Sequence, residues 1–337
     1  MEGLLVLDFT TLLPGPLATQ LMRQAGARVV KVERPGGGDE LRSYLPRLGT
    51  TAVAYTMLNE GKEILEFDLK ADDRSELEKL IRECDVLVEQ FRPGVMDRLG
   101  LGYDHVRKMN PDIVYCSITG FGQTGPLSAV AGHDLNYLAE AGVLSLTEPP
   151  ALPPVLVADI GGGSFPAVTE VLLALLRRER GGGGARIDVA MARNLFNWLS
   201  YQLSAGFLTG EWPSPGDGLT TGGSARYNLY PAADGRYVAV AALEDKFWTQ
   251  FCLLAGLPET ADRAAVARRI AQEPGEYWEG LLAGRDTCVN LVRPLHEAVR
   301  HPHFADLFTT PLYPGAPVPG LPLPVGGVPA QPEEPPS

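Results

Sequence analysis

The stretch LLVLDFTTLLPGPLATQLMRQAGARVVKVE, residues 4–33, decides the fold class of this chain. Its first residues, 4–7, form a short apolar run of the kind that makes a buried strand. Pro-Gly-Pro at residues 14–16 then opens a helix, in which Leu17, Leu21 and Met22 keep helical spacing until Gly26 ends it. A second apolar run at residues 28–32 completes a strand–helix–strand unit, so the sequence predicts a parallel pair of strands.

The alternation of helix and strand continues beyond this unit. Helical spacing over residues 74–82 and 103–109 alternates with apolar runs at residues 86–89 and 113–117. After about residue 210 the character changes, because two alternating segments at residues 227–230 and 236–242 are joined through Asp234-Gly235, a good hairpin turn. Helical segments follow over residues 246–255, 263–272 and 276–282.

We therefore predict an α/β chain of two domains. The large one, a doubly wound, Rossmann-like parallel-sheet domain, would span residues 1–185, and a small α+β domain would span residues 225–305. Residues 186–224 would form a connecting helix and loop. The Pro- and Gly-rich residues 306–337 would return to the large domain.

Composition and charge exclude several classes of protein. The 337-residue chain carries a formal net charge of −12, which argues against nucleic-acid binding because phosphate neutralisation requires a basic face. The four cysteines form no Cys-x-x-Cys pair, so neither a zinc site nor a disulfide framework is predicted. No apolar run reaches the roughly 18 residues of a membrane span, and the acidic start argues against a signal peptide. We expect a cytoplasmic protein without a nucleic-acid or membrane partner.

The first candidate for chemistry is Gly132-His133-Asp134, which follows a Gly-rich stretch and precedes a predicted helix over residues 135–141. The positive end of a helix dipole disfavours the imidazolium ion, so a histidine at this position suits a neutral base near pH 7. A loop histidine bonded to a backbone carbonyl would show the same pattern.

The second candidate is Asp159, which ends an apolar run at residues 155–158 and precedes glycines at residues 161–163. We expect it at the carboxyl end of a strand, where ligands bind in α/β sheets, with the glycines letting a substrate approach closely. Ser164 would cap the amphipathic helix that follows. The alternative interpretation is a structural cap or loop acid.

Anion-binding features are present but not specific. The Gly-rich stretches at residues 36–38 and 161–163 match neither the dinucleotide fingerprint nor the Walker sequence. Four cations lie beside predicted strand ends or turns and are equally well explained as solvated surface charges: Arg34, Lys62, Lys70 and Arg92.

A series of short motifs carries the analysis further. In order, the chain contains Asp8-Phe9 with Pro14-Gly15-Pro16, Lys31-Val32-Glu33-Arg34-Pro35, Asn59-x-Gly-Lys62, Asp85-Val86-Leu87-Val88-Glu89, Phe91-Arg92-Pro93-Gly94 and Gly120-Phe121-Gly122. Over residues 3–305 this series resembles the class III CoA-transferase superfamily, which contains formyl-CoA transferases, carnitine CoA-transferase-like proteins and α-methylacyl-CoA racemases. Gly132-His133-Asp134 and the stretch from Gly222-Gly223 to Glu244 resemble the racemase branch.

The resemblance implies roles for the candidate residues. His133 and Asp159 would be the paired proton-transfer groups of a racemase or epimerase of 2-methylacyl-CoA thioesters, and Glu244 would support the histidine. The backbone amide of Asp134 would meet the enolate oxyanion, because an aligned donor at a helix start stabilises developing negative charge.

The same resemblance implies how the substrate and the subunits are arranged. Arg34, Lys70, Arg92 and Lys62 would bind the CoA part of the acyl-CoA, and Tyr137 would line the thioester site; no metal and no cofactor beyond that CoA are implied. Members of the superfamily form intertwined homodimers whose active sites lie between the large domain of one subunit and the small domain of the other. Glu244 would then come from the partner subunit.

Two other functions stay open at this point. A CoA-transferase would use Asp159 as a nucleophile that forms a mixed anhydride, and it would not need His133. A non-catalytic acyl-CoA-binding protein would bind without chemistry, although the presence of His133, Asp159 and Glu244 disfavours it.

Overall fold

The structure is a computed structural model that describes residues 1–312. The predicted return of residues 306–337 to the large domain therefore falls almost entirely outside the described residues. The strands, in chain order, are β1 (Leu5–Phe9), β2 (Arg28–Glu33), β3 (Arg47–Leu48), β4 (Thr51–Ala52), β5 (Glu63–Glu66), β6 (Val86–Glu89), β7 (Val114–Thr119), β8 (Ala185–Ala190), β9 (Tyr227–Pro231), β10 (Tyr237–Ala241) and β11 (Val289–Leu291).

Helices connect most of these strands. The α-helices are α1 (Pro14–Gln24), α2 (Val53–Asn59), α3 (Ser75–Glu83), α4 (Val95–Arg98), α5 (Tyr103–Met109), α6 (Asp134–Glu140), α7 (Phe165–Arg177), α8 (Met191–Asn194), α9 (Ser200–Thr209), α10 (Asp245–Ala255), α11 (Arg263–Ile270), α12 (Gly275–Leu282) and α13 (Leu295–Ala298). Short 3₁₀-helices lie at Glu40–Ser43, Val143–Leu146, Leu195–Trp198 and Ala305–Phe308, and π-helices at Ala158–Ser164 and Arg178–Gly182.

A six-stranded parallel sheet forms the centre of the first unit, in the order β5-β2-β1-β6-β7-β8. This is the usual Rossmann order 3-2-1-4-5-6 once the strands are renumbered within the sheet, so the predicted doubly wound fold is confirmed. Helices α1 and α7 contact the sheet, and so does α3. Val6, Leu7, Val86 and Leu87 are fully buried, as expected for parallel strands covered on both faces.

The second unit contains an antiparallel sheet of three strands, in the order β11-β10-β9. The predicted hairpin is present, and Gly235 takes the positive φ of 82° that its turn requires. Trp248, Phe251 and Trp278 from the surrounding helices are buried against this sheet. The unit therefore has its own hydrophobic core.

The division between the units differs from the predicted domain bounds. The first unit comprises Met1–Ala141, Pro153–Trp198 and, among the described residues, 307–312; the second comprises Gly142–Leu152 and Leu199–Asp306. The predicted boundary at residue 185 falls on the first residue of β8, which pairs with β7 over Ala185–Ala190. The predicted connector at residues 186–224 is consequently shared between the two units.

The apolar run at residues 155–158 is not a strand, so that part of the prediction is wrong. Val155 and Leu156 are exposed, and the chain is helical from Ala158 to Glu179, after which Arg180 and Gly181 depart from helical φ and ψ. By length and composition this helix would also suffice to cross a membrane, the one such helix among residues 1–312. Its α7 part packs against α1, β7 and β8, which is the position of a core helix in the first unit.

Candidate active site

The predicted site residues of the first unit follow the carboxyl ends of parallel strands. Arg34 directly follows β2, Lys70 lies shortly after β5, and Arg92 lies shortly after β6. His133 is carried by the long loop after β7. Because these ends share one edge of the sheet, the topology directs the candidate residues to the edge at which α/β proteins bind ligands.

His133 occupies the position immediately before α6, as the sequence predicts. Its backbone N–H donates to the side-chain oxygen of Asn136 at 3.0 Å, and its backbone carbonyl accepts from the N–H groups of Asn136 and Tyr137. The backbone of the histidine is therefore fixed by its own helix. The residue is exposed, so its imidazole is available to a ligand.

Asp159 lies in the first turn of the π-helix Ala158–Ser164, and not at a strand end. Seven residues of π-helix are unusual, and such widened turns are frequent at functional sites. Ser164 does not cap the following helix, because the helix passes through it without interruption and its hydroxyl donates to the carbonyl of Pro14 at 2.8 Å. Asp159 itself is half-buried.

The carboxylate of Asp134 joins the two candidates. Asp134 is the first residue of α6 and is buried, and its Oδ1 accepts the backbone N–H of Ala158 at 2.6 Å and that of Asp159 at 3.0 Å. The residue next to the histidine thus caps the start of the helix that carries the aspartate. Only the amide of Asp134 is predicted from the sequence, because a cap across 24 residues leaves no local sequence signal for the carboxylate.

The electrostatics of the cluster favour a proton-transfer group at Asp159. Burial and the nearby charge of Asp134 raise the pKa of Asp159 to about 6, although His133 opposes the shift. Burial and the two carboxylates also raise the pKa of Tyr137, and the guanidinium of Arg92 opposes that shift. A carboxyl group that titrates this close to neutrality can both take and give a proton.

The glycines after Asp159 are packed closely against neighbouring residues. A Cβ on Gly162 would lie 2.5 Å from the carbonyl oxygen of Met191, and one on Gly163 would lie 3.0 Å from the sulfur of the same residue. A Cβ on Gly161 would meet the ring of Trp198. Met191 of α8 therefore fills the space beside Gly162 and Gly163, and the approach of a substrate to these glycines stays a prediction.

The ring of Tyr137 packs closely against Gly120 and Gly132. Its ring packs edge to face on Phe121 with 5.2 Å between centroids, and its hydroxyl donates to the carbonyl of Gly132. A Cβ on Gly120 or Gly132 would lie within 2.8 Å of the tyrosine ring. The glycines of this region consequently fix the ring beside His133.

Arg34, Lys70 and Arg92 are exposed, as anion-binding groups require.

Lys62 is buried, so the prediction that it binds CoA is corrected. Its side chain is completely buried, with Nζ 3.1 Å from Asp8 Oδ2 and donating to Pro16 O, Thr19 Oγ1 and Asn59 Oδ1 at 2.8–3.0 Å.

These acceptors use all the N–H groups of the Lys62 ammonium, so the residue is not available to CoA. Burial lowers the pKa of Lys62 to about 8, and the charge of Asp8 opposes the shift. Although burial raises the pKa of Asp8, the ammonium groups of Lys62 and Lys31 outweigh it and hold that pKa well below the ordinary value. Lys62 is therefore part of an interior ion pair.

Glu244 lies in the second unit, at the position before α10, and it is exposed. Its backbone carbonyl accepts from Phe247 and Trp248, which fixes its place at the helix start. The support that it would give to His133 stays a prediction.

A cavity of about 310 Å³ is lined in part by Phe121, the ring partner of Tyr137. Its lining is mainly apolar and includes Phe121, Leu127, Ala141, Ala192 and Phe196, with Glu140 and Arg193 as charged members. Because Phe121 contacts Tyr137, the cavity lies beside the tyrosine that is predicted to line the thioester site.

Comparisons with known proteins identify the family of the chain. The sequence model of CoA-transferase family III matches residues 1–336. The chain is 33% identical to an acetyl-CoA:oxalate CoA-transferase of Acetobacter aceti over 97% of this chain and 89% of that protein. It is 34% identical to an α-methylacyl-CoA racemase of Homo sapiens over 90% of this chain and 80% of that protein. A solved CAIB/BAIF family protein from Brucella suis matches 96% of this chain and 91% of its own, with a TM-score of 0.81 and 28% identity.

Proposed function

The chain belongs to CoA-transferase family III, and from this premise we propose that it racemises or epimerises 2-methylacyl-CoA thioesters. One observation carries the choice of reaction: the residue after an exposed histidine at a helix start accepts the backbone N–H of Asp159, whose carboxyl pKa is raised to about 6 and is influenced by that histidine. Inversion beside a thioester carbonyl needs two groups that can each take or give a proton. His133 and Asp159 meet that requirement.

In the proposed reaction, one of the two groups removes the α-proton and the C–H electron pair moves into the carbonyl to form an enolate. The other group then delivers a proton to the opposite face, and the enolate electrons return to the α-carbon. In the reverse direction the two groups exchange roles. No oxidant, reductant or second substrate is consumed.

The enolate oxygen needs a donor in the site. The N–H of Asp134 belongs to the first turn of α6, where N–H groups have no acceptor within their own helix. Such a donor, when aligned with a developing oxyanion, contributes about 3–4 kcal/mol to catalysis in well-studied enzymes. We assign this role to the Asp134 amide.

The remaining residues would bind the substrate and complete the site. Arg34, Lys70 and Arg92 would pair with the phosphates or the adenosine of CoA, and Tyr137 would line the thioester site. Glu244 would hold the imidazole of His133 in one tautomer, and in an intertwined homodimer it would come from the partner subunit.

A CoA-transferase is the second candidate, because the acetyl-CoA:oxalate CoA-transferase matches nearly the whole chain. Here the carboxylate of Asp159 would attack the donor thioester, expel CoA as thiolate and form a mixed anhydride. The thiolate would return after an acceptor acid had exchanged with the acyl group. This route makes no use of His133.

The two candidates separate in one assay. The purified protein is incubated with a 2-methylacyl-CoA in deuterated water, once alone and once with free carboxylic acids, over several acyl-chain lengths. The proposal expects deuterium at the α-carbon in the absence of any acid. Transfer of CoA to an added acid without deuterium uptake, and trapping of Asp159 by hydroxylamine, would replace the racemase with the transferase. Binding of acyl-CoA with neither reaction would leave a binding protein.

A further inference from the structure

We propose that the side-chain carboxylate of Asp134 is a positioning group that holds the helix of Asp159 in register with the helix start of His133. This inference builds on the proposed function, since it concerns how the two proton-transfer groups are held. It is separate from the role of the Asp134 amide, because the carboxylate faces the protein interior and the amide belongs to the first turn of α6.

The first support is the geometry of the hydrogen bonds. One oxygen, Oδ1 of Asp134, accepts both the N–H of Ala158 at 2.6 Å and the N–H of Asp159 at 3.0 Å. Asp134 is only 5% exposed, so water does not compete strongly for this carboxylate. Hydrogen bonds to an ionised acceptor are about twice as strong as those between neutral groups.

The second support is the position of the two donors in the fold. The N–H groups of Ala158 and Asp159 begin a helical stretch that continues through α7 to Glu179, and the first N–H groups of a helix have no acceptor within it. An acidic cap satisfies them and complements the helix dipole. The cap lies directly beside Asp159, so the place of this carboxyl group depends on Asp134.

The third support is the packing on the other sides of the π-helix. Gly162 and Gly163 lie against Met191 of α8, and Gly163 also approaches Pro14 of α1. The side chain of Asn194 donates to the carbonyl of Gly162 at 2.8 Å. These contacts fix the later turns of the π-helix, and Asp134 fixes its first turn.

The carboxylate also has an electrostatic consequence. The groups whose charges act on Asp159 are Asp134 and His133, and Asp159 and Asp134 act in turn on Tyr137, which Arg92 also reaches. The contacts that α1 and α8 make through Pro14 and Met191 add no charge. The negative charge of Asp134 helps to keep Asp159 protonated up to a higher pH, so removing that charge lowers the pKa of Asp159.

Two substitutions separate position from charge. Asp134→Asn keeps an oxygen that can accept both N–H groups but removes the charge, and Asp134→Ala removes both. Asp262→Asn is the matched control, because the Asp262 side chain likewise caps a helix, accepting the N–H of Ala265 at 2.7 Å in the second unit. All three proteins are studied as full-length chains.

The first readout needs no catalytic activity. Aspartate labelled with ¹³C in the carboxyl group is titrated by NMR, and the Asp159 signal is identified by its loss in Asp159→Asn. We expect the titration midpoint of Asp159 to fall in Asp134→Asn and to stay unchanged in Asp262→Asn. An unchanged midpoint in Asp134→Asn would overturn the electrostatic part of the proposal.

The second readout is the rate of α-proton exchange as a function of pH. In Asp134→Asn we expect the acid limb of the rate profile to move to lower pH while KM for the acyl-CoA changes little. In Asp134→Ala we expect kcat to fall about 100-fold or more, because displacement of a catalytic group by roughly 1 Å can have that effect. Asp134→Ala with wild-type kcat would overturn the positioning role.

Failure of the proposed function and failure of this inference give different results. If the wild-type protein shows no α-proton exchange, the racemase proposal fails, and the NMR titration still decides whether Asp134 sets the protonation of Asp159. If the exchange occurs and the titration midpoint does not respond to Asp134→Asn, the electrostatic part of the inference fails and the proposed function stands.

Discussion

Asp159 illustrates, at the scale of a single residue, how burial prepares a carboxyl group for chemistry. Its pKa is raised from the ordinary 3.8 to about 6, mainly by burial and further by Asp134. In the direction in which Asp159 takes the proton, it must be ionised. We therefore expect kcat/KM in that direction to fall about tenfold for each pH unit below 6, as measured in an exchange assay that starts from one enantiomer.

The same shift affects stability with a defined sign. Between about pH 4 and 6 the folded protein holds a proton on Asp159 that the unfolded chain has released, so the free energy of unfolding falls as pH rises through this window. Asp159→Asn removes the contribution. Urea unfolding of wild type and Asp159→Asn at several pH values measures this contribution. If the free energy of unfolding of wild type rose relative to that of Asp159→Asn between about pH 4 and 6, the assigned pKa would be contradicted.

Lys62 and Lys70 provide a test of the interior ion pair. Lys62→Met leaves Asp8 with one fewer buried cation, and removing one partner of a buried pair costs about 3–5 kcal/mol. Lys70→Met, at an exposed position, should change the free energy of unfolding by less than about 0.5 kcal/mol and raise KM for the acyl-CoA. Urea unfolding and steady-state kinetics measure both effects. Wild-type stability in Lys62→Met, together with weaker acyl-CoA binding, would restore the sequence-based assignment of Lys62.

Sequence reasoning located His133 correctly because a helix start is a local pattern of glycine, polar residue and apolar spacing. It could not see that Lys62 turns inward, since an exposed and a buried lysine beside a turn have the same sequence. The hydrogen bonds that the Asp134 carboxylate accepts could not be predicted either, because their donors, Ala158 and Asp159, lie far away in the sequence.

At the scale of elements, the π-helix Ala158–Ser164 is the part that the sequence did not indicate. Three consecutive glycines usually break a helix, and four apolar residues before an acid are typical of a strand. Close packing against α8 and α1 outweighs both tendencies, since only glycine fits against the backbone of Met191. The strands β1, β2, β6 and β7 were predictable because their buried apolar runs carry the signal themselves.

Neighbouring glycines of this π-helix should respond differently to alanine. In Gly162→Ala the new methyl group would lie 2.5 Å from the backbone carbonyl of Met191, and overpacking of this kind costs about 1–3 kcal/mol. Gly161→Ala is the matched control, because it meets only the Trp198 side chain, which is 63% exposed and can move. Calorimetric unfolding should show a clearly larger loss for Gly162→Ala. Equal losses would show that packing against α8 does not select glycine there.

At the scale of the whole molecule, the proposed homodimer can be tested by subunit complementation. We expect His133→Ala and Glu244→Ala each to inactivate every site in their own homodimer. If a site combines His133 of one subunit with Glu244 of the other, each mixed dimer contains one intact site, and random assembly restores roughly a quarter of wild-type activity. Co-expression of the two variants with different tags yields the mixed dimers for assay. Inactive mixed dimers would place Glu244 and His133 of one active site in the same subunit.

The central claim is α-proton transfer by His133 and Asp159, and an enantiomer-resolved exchange experiment tests it most directly. One enantiomer of a 2-methylacyl-CoA is incubated in deuterated water with wild type and with His133→Ala, and deuterium is followed separately in the starting enantiomer and in its product. We predict that wild type places deuterium first in the product of inverted configuration, because the second group delivers a solvent-derived deuteron, and that His133→Ala loses inversion. Absence of α-deuterium in wild type, or full inversion by His133→Ala, would contradict the claim.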